Sequence, residues 1–208
     1  MPRKPLLLGM LGGVLLAVAA IAVLLTSGKL VVPARGADIA PITLPAELGG
    51  LRQHIDVYRE RHTPAETAEE ERITARTDAL TASTYSKAYD GAAAAVHQYA
   101  SDDLTLRVTI VAIRASSSRL LPGVLQDPAD MGLLALPTEV IEIGQARCLI
   151  RRFLHGPGGD LNPFNQATDQ CQRTGPNATV VAYVEGAESS TAQRLVVDVT
   201  DAAFALIT

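Results

Sequence analysis

An uncharged apolar run from Pro5 to Gly28 constrains this chain more than any other feature. It reads LLLGMLGGVLLAVAAIAVLLT from Leu6 to Thr26, with Arg3 and Lys4 before it and Lys29 after it. At a helical rise of about 1.5 Å per residue, roughly 20 such residues cross the hydrocarbon core of a bilayer. No face of the run is polar, so it does not read as a helix packed on a soluble core. A cleaved signal peptide is the competing reading, with Ala17-Val18-Ala19 as a small-x-small site. The apolar character nevertheless continues through Ile21 to Leu25, past the point where such a site gives way to polar residues. An uncleaved signal anchor over residues 1–28 is the reading that fits, and with no Cys close behind the run a lipid-modified N-terminus is excluded.

Basic residues flank the run on both sides, so the loop charges hardly discriminate its orientation. The cysteines supply a second argument. Only Cys148 and Cys171 occur, and a lone pair beside a membrane segment is most simply a disulfide formed in an oxidising compartment. Closing the 22 residues between them would stabilise the fold by about 3 kcal/mol. Two unrelated core thiols are the alternative. A zinc site has less support, because the nearest His, His155, shows no zinc-ligand spacing to Cys148. The N-terminus is therefore expected in the cytoplasm and the rest outside the cell membrane, or secreted if the segment is cleaved.

Beyond residue 36 the chain carries 14 basic against 22 acidic residues, a net of −8. That balance argues against nucleic acid and against anionic lipid headgroups as partners; the bilayer is expected to be met only through the N-terminal helix. Trp is absent and Tyr and Phe are few, which leaves little for binding hot spots or base stacking. Arg outnumbers Lys 15 to 3 and Ala is abundant, a bias typical of high-GC bacterial coding. One domain is the natural estimate.

Pro and Gly punctuate residues 29–50, which read as a connector, although Ile42 to Leu51 can add to the domain's edge. The domain is expected over 51–208. A helix is predicted from Thr63 to Ala82, with Thr63 as cap, Pro64 in the first position and Glu66 completing a capping box. Its apolar residues are sparse, so it should be mostly solvated. Leu104 to Ile113 alternates and is β-branched, hence a strand, with Ala92–Tyr99 as its hairpin partner across Asp102-Asp103. A helix follows over Asp127–Leu136, then strands at Glu139–Ile143, Arg147–Leu154 and Ala178–Glu185, with a long Gly/Pro/Asn loop from His155 to Gln170. Ser189–Leu206 has helical spacing, although its valines also suit a strand. The expected fold is α+β: a transmembrane helix, then a small domain with an antiparallel sheet of at least four strands and helices packed on one face.

The order of features also supports a resemblance. An apolar span is followed by a Pro-rich segment ending in Leu-Gly-Gly-Leu (Leu48 to Leu51). Tyr-Asp-Gly (Tyr89 to Gly91) precedes a hairpin, Gly-x-x-x-Cys (Gly144 to Cys148) follows, and a second Cys precedes the last elements. This resembles uncharacterised single-pass membrane proteins of actinobacteria. The resemblance implies a membrane-anchored outer domain with a disulfide, and it implies no activity.

Reactive groups are few. His54, His62, His97 and His155 are scattered, and no HExxH, GxSxG or SxxK pattern occurs. Asp102-Asp103 is better explained by a turn than by paired carboxylates. The Gly-rich stretch from His155 to Asp160 lacks the Lys-Ser/Thr of a phosphate loop. No catalytic, metal or cofactor site is expected. Arg151, Arg152 and Arg173, with Arg147, form the densest basic cluster and are the candidate contact for an anion or an acidic partner. Arg151 and Arg152 should face opposite sides of their strand, so at most one of them joins Arg173. The expected function is a non-catalytic binding or interaction domain with a protein partner in the cell envelope, its surface the loop from Gly156 to Gln170. The alternatives are an envelope hydrolase, which needs His97 or His155 to meet Asp or Ser partners, and a membrane-complex subunit packed through Gly9, Gly12 and Gly13.

Overall fold

In the computed structural model the described residues are 38–118, 120, 138–152, 166–187 and 189–208. The apolar run, the helix expected at Asp127–Leu136 and most of the Gly156–Gln170 loop lie outside them. The chain divides after Gly36, and the unit from Ala37 to Thr208 holds every described element. Among the described residues no helix is long and apolar enough to cross a membrane.

Eight antiparallel strands form one sheet in the order β1-β2-β3-β4-β8-β7-β6-β5. They are β1 (Glu47–Leu48), β2 (Leu51–Gln53), β3 (Ala94–Ala100), β4 (Arg107–Ile113), β5 (Thr138–Ile143), β6 (Ala146–Arg152), β7 (Gln166–Thr174) and β8 (Thr179–Glu185). Among the described residues three helices accompany the sheet: α1 (His54–Arg59), α2 (Pro64–Ala88) and α3 (Ser190–Ile207). The α+β class and the antiparallel sheet agree with the expectation. The domain begins earlier than residue 51, because Leu44 and Leu48 are buried in the core and the Tyr99 hydroxyl donates to Pro45 O at 2.8 Å.

The helices do not share one face. In β4, Val108, Ile110 and Ala112 point into the cluster built by Val196, Val197, Val199, Ala203 and Ile207 of α3. Val111 and Ile113 point the other way, with Val181 of β8, and meet Tyr85 and Tyr89 at the end of α2. The reason is legible in β4 and β8. Ile110 to Ile113 and Thr179 to Ala182 are buried without interruption, so these central strands present apolar surface on both faces and each face needs a cover.

The α2 capping box forms as expected: Thr63 N–H donates to Glu66 Oε2 at 2.9 Å, and Glu66 N–H to Thr63 Oγ1 at 3.4 Å. Thr67 is its one buried residue among those described, which makes it a solvated helix. It runs on to Ala88 rather than stopping at Ala82, because Tyr85 and Tyr89 bury their rings on the sheet and the Tyr85 and Tyr183 hydroxyls bond to each other. Strand β4 starts at Arg107, not Leu104, which adopts a left-handed φ of 60°. The Asp103 carboxylate dictates this turn, accepting from Ser101 Oγ at 2.6 Å and from Thr105 N and Oγ1 at 3.1 and 2.8 Å.

Candidate functional site

The two cysteines are cross-strand neighbours in β6 and β7, buried on the α3 face and joined by a disulfide with S–S 2.02 Å. β7 occupies Gln166–Thr174, where a loop had been expected up to Gln170. Its sequence QATDQCQRT carries no apolar pattern. It forms a strand because β6 and β8 lie on either side and satisfy its main chain.

The expected basic cluster is not one site. Arg151 Nη2 donates to Asp169 Oδ1 at 2.8 Å, and Arg152 bonds Glu139 of β5. Arg173 alone turns toward α3, with Nη1 on Asp201 Oδ1 at 2.8 Å, Nη2 on Gln145 Oε1 at 2.5 Å and its guanidinium 4.4 Å from the Phe204 ring centroid. Each guanidinium thus has its own carboxylate, because adjacent residues of β6 diverge while β5, β7 and α3 each supply an acid.

What gathers around Arg173 instead is a groove at one end of the sheet. Two adjoining cavities of about 570 and 580 Å³ share Gln145, Thr174, Gly175 and Pro176 as walls. Arg147 and Gln172 line the first, and Arg114, Arg173 and Phe204 line the second. Arg114 clamps the chain's early and late segments, donating through Nε to Ala40 O at 3.0 Å and through Nη1 to Ile207 O at 3.2 Å. A cation at the α3 C-terminus also complements the helix dipole. Arg147 is held loosely: its buried Nε lies 3.8 Å from Glu142 Oε1 and makes no hydrogen bond among the described residues. Arg114 is a groove residue that sequence reading missed. It follows β4 directly, and nothing in its neighbours signals that Ala40 and Ile207 arrive beside it.

Three of the four histidines are described and they stay apart, while His155 lies outside the described residues. His54 is buried, with Nε2 3.1 Å from Glu70 Oε1 and Nδ1 without a partner among the described residues. His62 stacks on Tyr58 with ring centroids 3.6 Å apart. His97 Nε2 accepts from the Gln53 amide at 2.7 Å. Asp78 lines the same small cavity as His97, but its Oδ1 accepts from the Gln98 amide at 2.9 Å, and burial holds its pKa above the ordinary carboxylate value. Asp103 is shifted oppositely, to about 2, by the Ser101 and Thr105 hydroxyls. Among the described residues no three His, Cys, Asp or Glu side chains gather as a metal site would require.

Compared with known proteins, the chain matches no family model, no curated protein and no solved structure.

Proposed function

We propose that this chain is a non-catalytic binding or interaction domain held outside a bacterial cell membrane by the helix at Pro5–Gly28. The observation that carries the binding reading is the groove around Arg173. It is roomy, walled by polar residues on two turns and a helix end, and lined by guanidinium groups of which one, Arg147, is held only by a long 3.8 Å approach to Glu142. Such a surface suits a ligand that brings a carboxylate or other anionic group. The outward placement is supported by the disulfide, which belongs to oxidising compartments, and by the length of the apolar run. The resemblance to actinobacterial single-pass proteins supports the same address.

The test uses the full-length protein in membranes, with a membrane-impermeant thiol reagent applied from outside. Cys148 and Cys171 should label only after reduction and unfolding; labelling of both without reductant overturns the outward placement. Capture by photo-crosslinker at Gln145 should yield one partner that Arg147→Ala and Arg173→Ala both lose. Turnover of an envelope substrate by the protein would overturn the non-catalytic reading in favour of a hydrolase.

A further inference from the structure

Strand β3 is paired along its whole length on one side and over two residues on the other. β4 faces every residue from Ala94 to Ala100, whereas β2 reaches only Tyr99 and Ala100 before the chain turns into α1. The phase of the ladder is set at its two ends, where Ser101 N–H donates to Leu106 O and Arg114 N–H to Ala93 O. Odd-numbered residues of β3 therefore bond to β4, and even-numbered ones direct their main-chain groups to the other side. Among the described residues no main-chain partner meets Ala94 or Val96 there.

This open edge is not bare. The segment from Ile42 to Leu44 lies beyond it, and α2 borders it with Asp78, Ala79 and Ala82. Between them is a slot of about 340 Å³ that shares no lining residue with the arginine groove. Its walls are small or apolar apart from Thr43, His97 and Asp78. The Asp78 carboxylate is half-buried and takes one amide hydrogen bond, from Gln98; the His97 and His54 imidazoles lie close enough to act on its charge, and among the described residues no Arg or Lys forms a salt bridge with it. A carboxylate withdrawn from water without a cation is costly, and a ligand cation would relieve that cost.

We propose that this slot accepts an extended segment of a partner protein bearing a lysine or arginine, its main chain pairing with Ala94 and Val96 and its cation meeting Asp78. Strand addition supplies affinity through main-chain hydrogen bonds and specificity through alternate side chains, and Ala79 and Ala82 leave room for one of them. Charge selects the occupant. The chain beyond residue 36 is acidic at −8, and the sheet's opposite edge, β5, carries Glu139 and Glu142. A second copy offering that edge would set acid against Asp78, whereas a basic strand matches it.

The experiment uses the full-length protein in nanodiscs and short labelled peptides alternating Val and Thr, with a central Lys, a central norleucine, or a central Lys on an N-methylated backbone. Fluorescence anisotropy gives affinity, and hydrogen exchange reports the Ala94 and Val96 amides. The Lys peptide should bind about tenfold more tightly than the norleucine peptide, protect both amides, and lose its binding when N-methylated. Asp78→Asn should erase the Lys advantage and leave norleucine binding unchanged. Equal affinity of the Lys and norleucine peptides overturns the proposal, as does undiminished binding of the N-methylated one. Protection of Ala94 and Val96 that rises with protein concentration alone would assign the edge to a second copy and overturn it too.

Discussion

Gly49 lies against Val199 so closely that a β-carbon on the glycine would stand 2.7 Å from the Val199 Cα. This contact seats the β1–β2 turn on α3. Gly49 also has a φ of +56°, where a side chain is strained. Gly49→Ala should therefore cost about 3 kcal/mol from strain and overpacking together. Gly91 has a φ of +86° with nothing within 4 Å, and Gly91→Ala should cost only about 1 kcal/mol. Urea titration of the two variants side by side separates contact from conformation.

The Cys148–Cys171 bridge spans a sequence separation of 23 residues. Replacing both with Ala should lower stability by about 3 kcal/mol, chiefly by freeing the unfolded chain. Denaturant midpoints with and without reductant should coincide for the double variant and differ for the parent.

Tyr85 and Tyr89 hold the last turns of α2 on the sheet. Removing both rings should melt the helix from Ala82 onward, while its capped start remains protected. Hydrogen exchange by mass spectrometry reads this directly: protection should fall in residues 83–88 and persist in β3 and β4.

Asp103 and Asp78 give opposite pH dependences. The Asp103 pKa is depressed to about 2, so its contribution is present above the unfolded carboxylate value and is lost as pH falls toward 2. The Asp78 pKa is raised by burial, so its stabilising effect belongs to the protonated form, present at low pH and lost as pH rises through the folded value. Unfolding measured from acid to neutral pH should show a shallower acid loss for Asp103→Asn. Asp78→Asn should show a gain at neutral pH relative to the parent.

Much of the fold can be read locally. The Thr63–Glu66 box and the β-branched alternation before Ile113 each specify an element through neighbours a few residues away. β7 was hidden because its polar side chains carry no period, and pairing on both sides makes it a strand. The opposite placement of α2 and α3 was also missed, although the unbroken apolar runs of β4 and β8 carried the clue.

The site was less legible than the fold. Two cysteines in one chain announced their pairing, since few other uses fit them. The arginines did not announce theirs. Arg151 and Arg152 are consecutive in sequence yet bond Asp169 and Glu139, while Arg173 finds Asp201 on a helix 28 residues on. The sequence alone determined the length of the apolar run, the α2 cap, the central strands and the acidic balance, because each depends on composition or short-range chemistry. Only the tertiary structure decided which guanidiniums share a groove and where β3 lacks a main-chain partner among the described residues, because both depend on contacts between segments far apart in the chain.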